Sequence, residues 1–206
     1  MALAVFIPSS LIAHPHMSFS TRFAFVWEGS TLSGVNMEWT FDKFFSADII
    51  NAYDSDRSGT FSTSESKNVY EKAFIYTKNY YFFTFIRVGD KRFNPAGVKN
   101  FTAGISDGSL VYRFFVDLSA YATNELYLAV YDYTFFCDIP YQKTDTVTFL
   151  HDPALGSPSY SLVENKDFPI YYNPLGAADD NTVYYQWKKG LVTFYPREIH
   201  LQYEKK

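Results

Sequence analysis

The sequence predicts a mainly β protein, an antiparallel sheet or β-sandwich, interrupted by one helix-loop-helix. Three observations carry this. Phe, Tyr and Trp number 21, 18 and 3 among 206 residues, and aromatic side chains favour strands because they cover a pleated, half-buried surface. Apolar and polar residues alternate over several short runs bounded by turn pairs such as Gly29-Ser30 and Gly89-Asp90, the period of a strand with one face buried. Between two such regions the apolar spacing becomes helical on both sides of an acidic stretch, 54–65.

In chain order, Phe19, Phe23, Phe25 and Trp27 mark one face of a strand over 17–28, which turns at Gly29-Ser30 into a second strand over 32–40. Asp42 stands where a helix N-cap is needed, and Phe44, Phe45, Ile49 and Ile50 follow at helical spacing up to Tyr53, a helix of about three turns. Val69, Ala73 and Phe74 form one stripe of a second helix over 64–76, with Glu65, Lys67, Glu71 and Lys72 elsewhere. The insertion is expected at about 41–78. From Tyr80 the text reads as strand again: Tyr81, Phe83 and Phe85 alternate, and Ser106-Asp107-Gly108 separates two runs ending near Asp117. Further strands are expected over 126–139, 144–150, 160–164 and 190–203, with an irregular Pro- and Asn-containing surface loop over 169–181.

This length suits one β-rich domain over 14–206. The formal charge of −4 comes from 22 acidic and 18 basic residues spread through the chain, which argues against a nucleic-acid partner or a polybasic membrane surface. Cys137, the single cysteine, lies among Tyr133, Phe135 and Phe136 and reads as a buried apolar thiol. Residues 2–13 are apolar and end in Leu11-Ile12-Ala13, which reads as the remnant of a signal peptide over 1–13 with cleavage after Ala13. No later segment reaches spanning length without charges, so an exported, periplasmic protein with no spanning segment is expected.

The acidic stretch carries the most specific chemistry. A hard cation needs oxygen ligands spaced around a tight loop, and an EF-hand places them at positions one, three, five, seven and twelve. Here those positions hold Asp54, Asp56, Ser58, Thr60 (through its carbonyl) and Glu65, with Gly59 at the sharp turn and Ser62 at the water-mediated ninth. Phe61 is the apolar residue that anchors such a loop to a core. Calcium is the expected occupant, and without a second loop to pair with, its affinity is expected at about 10⁻⁴–10⁻³ M. The bland alternative is a Ser- and Asp-rich helix connector. Softer metals point to another place: His14-Pro15-His16 follows the expected cleavage site, and a free His14 amine with the His14 and His16 imidazoles suits nickel, cobalt, copper or zinc. The bland alternative there is a processing junction with two exposed histidines.

His14-Pro15-His16, Trp39-Thr40-Phe41-Asp42 with Phe45-Ser46, the loop 54–65, residues 80–85 and Tyr131-Asp132-Tyr133-Thr134-Phe135-Phe136 together resemble the family known as domain of unknown function 1007. The resemblance covers 14 to about 150, with Tyr133 standing where a Pro is common. It implies an exported protein, described in that family as the periplasmic component of an uncharacterised ABC-type transport system. It also implies a membrane permease for nickel or cobalt as the partner. It supplies no catalytic residues. No phosphate loop, His-Glu-x-x-His, nucleophile elbow or Cys-x-x-Cys is present, and His151-Asp152 and Asp179-Asp180 read as turn residues, so no enzyme is expected. The rival reading is an aromatic-rich β-sandwich binding carbohydrate or peptide, which an exposed row of Tyr184, Trp187 and Tyr195 would favour.

Overall fold

The computed structural model describes residues 17–121, 123–142, 145–177 and 182–206. The architecture is mainly β, with two sheets whose inner faces share one core. The first sheet runs β5 (Lys99–Ser106), β6 (Ser109–Asp117), β2 (Thr31–Phe41), β1 (Met17–Glu28), β8 (Cys137–Asp138), with β9 (Val147–Leu150) also paired to β1. The second runs β10 (Gly156–Glu164), β13 (Arg197–Lys205), β7 (Glu125–Val130), β3 (Thr84–Val88), β4 (Lys91–Phe93). A small ribbon pairs β11 (Ile170–Tyr172) with β12 (Val192–Phe194).

The expected first hairpin is present, and its alternation explains its burial: Phe19, Phe23, Phe25 and Trp27 of β1 are buried together with Val35, Met37, Trp39 and Phe41 of β2. Across the sandwich Trp27 stacks on Tyr203 of β13 with centroids 5.3 Å apart. Asp107 and Gly108 have φ of 49° and 68°, the left-handed pair that a two-residue hairpin needs to match strand twist.

Several expectations need correction. The sheets are not purely antiparallel, because β8 and β9 run parallel to β1. The run 126–139 is not one strand: β7 ends at Val130, and Asp132 turns the chain by accepting hydrogen bonds from Thr134 N, Thr134 Oγ1 and Cys137 N. The second helix stops at Lys72 and gives way to a 3₁₀ segment, Phe74–Phe83. The strand expected from Tyr80 starts only at Thr84, since Tyr81, Phe82 and Phe83 have φ of 58°, 50° and 51°, outside the extended region. The segment 169–181, expected to be irregular, contributes β11, which with β12 covers Ala129 and Tyr131 on the outer face of the second sheet. The run 190–203 breaks between β12 and β13 around Tyr195-Pro196.

The helix-loop-helix lies in the crossover from the first sheet to the second. Helix α1 (Lys43–Tyr53) is capped by Asp42, whose carboxylate accepts from Phe44 N and Phe45 N at 2.9 and 3.0 Å. Helix α2 (Thr63–Lys72) is capped by Ser62. Each helix is tied to the first sheet by one serine. Ser46 Oγ accepts from Leu110 N of β6 at 2.8 Å, and Ser66 Oγ accepts from Ala103 N of β5 at 2.8 Å. These contacts hold the two helices that flank the acidic loop against neighbouring strands of the first sheet. No helix among the described residues is long and apolar enough to cross a membrane.

Candidate metal centre

The loop between α1 and α2 brings three of its predicted carboxylates together. Ligand oxygens of Asp54, Asp56 and Glu65 all lie within 4.8 Å of one another. Asp54 and Glu65 are 7% and 6% exposed, while Asp56 lies at the surface. Among the described residues no Lys, Arg or His forms an ion pair with any of the three. Three clustered negative charges without an ion-pair partner repel one another, and a divalent cation is a simple way to remove that repulsion.

The local backbone follows from the residues. Asp54 Oδ1 accepts from Ser58 N at 3.1 Å and Asp54 Oδ2 from Gly59 N at 2.9 Å, while Asp56 Oδ1 accepts from Ser58 N at 3.0 Å. The chain closes on itself at Gly59, whose φ of 77° suits a residue without Cβ. Ser58 Oγ donates to the Thr60 carbonyl at 3.0 Å, so both predicted oxygens sit side by side. Phe61 packs against the main core as expected of the anchoring residue.

Glu65 is the most constrained member. Its Oε1 accepts from Ser55 N and Ser55 Oγ at 2.8 and 2.6 Å, and its Oε2 accepts from Ser62 N and Ser62 Oγ at 3.0 and 2.8 Å. Ser62 Oγ in turn accepts from Glu65 N, which completes a capping box. The hydroxyl of Ser55, then the donors of Ser62 and the Ser55 amide, stabilise the ionised form and lower the Glu65 pKa to about 2. Sequence reasoning missed Ser55 altogether. It also gave Ser62 only a water-mediated metal role, although the Ser62-x-x-Glu65 spacing is the sequence signature of the capping box that now occupies its hydroxyl.

The loop therefore brings together carboxylate oxygens from Asp54, Asp56 and Glu65, and elsewhere in it the Ser58 hydroxyl lies against the Thr60 carbonyl. The three acids are hard donors of the kind a divalent cation takes, and the cluster contains no nitrogen or sulfur ligand. His14 and His16, the expected nitrogen site, lie outside the described residues. Cys137 is buried as expected, and burial, with Asp132 beside it, pushes its thiol pKa up, which favours the neutral thiol near neutral pH.

A family model described as "Protein of unknown function (DUF1007)" matches residues 1–203. An uncharacterized 15.5 kDa protein from the trpE 3' region of Spirochaeta aurantia is 32% identical over 132 residues, 60% of this chain and 94% of that protein. An uncharacterized protein of Haemophilus influenzae is 25% identical over 155 residues, 72% of this chain and 73% of that protein. No solved structure matches the chain significantly.

Proposed function

This chain belongs to the DUF1007 family, and on that footing we propose that it is an exported, non-enzymatic accessory protein of a nickel- or cobalt-type transport system, with a structural calcium site of EF-hand type. The convergence of Asp54, Asp56 and Glu65 without a cationic partner carries the calcium part of this reading. Helices on either side, a capping box at the entry to the second and Phe61 in the core support it further. The transport part draws on the family resemblance, with a membrane permease as partner and a softer metal held by His14 and His16 after export.

Calcium binding involves an exchange at Glu65. Four donors occupy its two oxygens, so bidentate ligation requires the Ser55 and Ser62 hydroxyls to turn away. The two backbone N–H bonds remain and hold the carboxylate in place. Competition from those hydroxyls is a further reason for weak affinity.

A single pair of titrations tests both parts. Protein beginning at His14 is titrated with calcium and with nickel beside the Asp54→Ala/Glu65→Gln variant. A free calcium concentration about 100-fold above Kd contributes about 2.7 kcal/mol, which raises the melting temperature of a chain this size by roughly 5–10 °C. The variant should lose that rise and keep nickel affinity. A wild type whose melting ignores calcium would refute the calcium site, and nickel affinity unchanged by one extra residue before His14 would refute the terminal site.

A second reading, binding of carbohydrate or peptide, has one observation in its favour. Trp187 is 58% and Tyr185 88% exposed in the segment before β12, and Tyr195 is also exposed, although Tyr184 is half-buried and bridges to Tyr171. Aromatic rings presented this way can stack on a sugar face.

A further inference from the structure

A cavity of about 480 Å³ lies between the first sheet and the helical insertion, separate from the acidic loop. Its volume is in the range of small-molecule sites. The wall is mostly aromatic, with Trp39 and Phe41 from β2, Phe45 from α1, and Phe74, Tyr80 and Phe83 from the 3₁₀ segment. The rings are packed on one another, with Phe41 5.0 Å from Phe45, Trp39 5.9 Å from both Phe74 and Phe83, and Tyr80 5.9 Å from Phe83. Tyr76, 63% exposed, also lines it.

The electrostatics of this wall are one-sided. Among the described residues that line the cavity the one carboxylate is Asp132, and there is no Lys, Arg or His. Asp132 is buried and held at the wall by three hydrogen bonds, from Thr134 N at 2.8 Å, Thr134 Oγ1 at 2.7 Å and Cys137 N at 3.0 Å. Aromatic faces carry negative quadrupole potential, and an array of rings beside one carboxylate attracts a large, weakly hydrated cation while repelling anions. A small metal ion would find few oxygen ligands here, and an uncharged apolar ligand would gain nothing from Asp132.

The backbone is bent to build this place. Tyr81, Phe82 and Phe83 have φ of 58°, 50° and 51°, a left-handed run that costs bulky residues about 1–3 kcal/mol each. It breaks the end of the segment Phe74–Phe83 just before β3; Tyr80 and Phe83 line the cavity and Tyr81 lies near Tyr133, with ring centroids 5.9 Å apart. Two core side chains of the same wall, Trp39 and Tyr112, have buried polar atoms (Nε1 and OH) without a hydrogen-bond partner.

We propose that this aromatic cavity binds an organic ammonium ion, a quaternary or alkyl-substituted nitrogen cation with an apolar body, held by the rings and by Asp132. The ligand chemistry differs from that of the acidic loop, and the two sites share no ligand residue. The probes are choline and its uncharged carbon isostere 3,3-dimethylbutan-1-ol, which have the same shape and differ by the positive charge. Calorimetric titration of the full chain should show choline binding on the order of tenfold more tightly than the isostere, the size expected of cation–π attraction in a partly desolvated cage. Tyr76→Leu, at the exposed side and away from the core, should weaken choline several-fold, and Tyr76→Phe should restore it. Equal affinities for the two probes, or no choline binding at tens of millimolar, would overturn the proposal, as would a Tyr76→Phe variant as weak as Tyr76→Leu.

Discussion

Two carboxylate-centred turns of this molecule use one kind of bond to opposite ends. In the turn after β7, buried Asp132 stands alone, and its oxygens accept from Thr134 N, Thr134 Oγ1 and Cys137 N. The donors of that turn have found their acceptor, and the turn closes on this one carboxylate. In the loop 54–65 the carboxylates also accept backbone N–H groups, yet ligand oxygens of Asp54, Asp56 and Glu65 lie within 4.8 Å of one another, and none of the three forms an ion pair among the described residues. A lone acid that closes a turn is part of the fold, whereas three acids closing one loop also bring their oxygens to one point, where a small divalent cation could meet all of them. This difference separates a turn built on a single carboxylate from a loop that gathers several.

The largest effect should come from the self-contained turn. Asp132→Ala leaves Thr134 N and Cys137 N without their acceptor in a buried place, and each such group costs about 1–3 kcal/mol. Urea denaturation should show a loss of roughly 3 kcal/mol or more, equal with and without calcium. A loss that calcium repairs would break the contrast between the two turns.

A smaller and opposite effect is expected in the loop. Ser55→Ala removes a hydroxyl that competes with the metal for Glu65 Oε1, so the calcium-free protein should be slightly less stable and calcium should bind about two- to fivefold more tightly. Calorimetry decides it. Weaker binding would mean that Ser55 supports the liganded loop and does not oppose it.

The smallest effect is pH dependence without calcium. The Glu65 pKa is depressed in the folded state to about 2, chiefly by Ser55 and Ser62. Its contribution to stability is therefore complete above the ordinary glutamate range and is lost as pH falls through about 2. Asp117, lowered to about 2 by Lys99 and Ser119, adds a slope of the same sign. The difference between wild type and Glu65→Gln isolates the Glu65 share: the variant should melt with a shallower acid dependence, and parallel curves would show that its hydrogen bonds do not favour the ionised form.

Much of the fold was legible where a local rule and the tertiary structure agree. Period-two alternation located β1 and β2, because Phe19, Phe23 and Phe25 must share one face. Helical spacing and Asp42 located α1, and the oxygen spacing of 54–65 located the acidic cluster, since ligands that approach one another through a tight loop are close in sequence. Determined by the sequence alone, then, were the β class, the hairpin ends, the cap of the first helix at Asp42 and the three acids that meet in the loop. The tertiary structure decided the rest. Tyr81, Phe82 and Phe83 leave the strand for a left-handed run that no propensity favours, and Phe82 and Phe83 are buried in the core from that conformation. The parallel pairing of β8 and β9 with β1 joins residues more than a hundred positions apart. The aromatic cavity gathers Trp39, Phe45, Phe74, Tyr80 and Asp132 from four separate stretches. Such placement is set by side-chain packing across the sandwich, where burial and volume decide between neighbours that are far apart along the chain and leave no local signature.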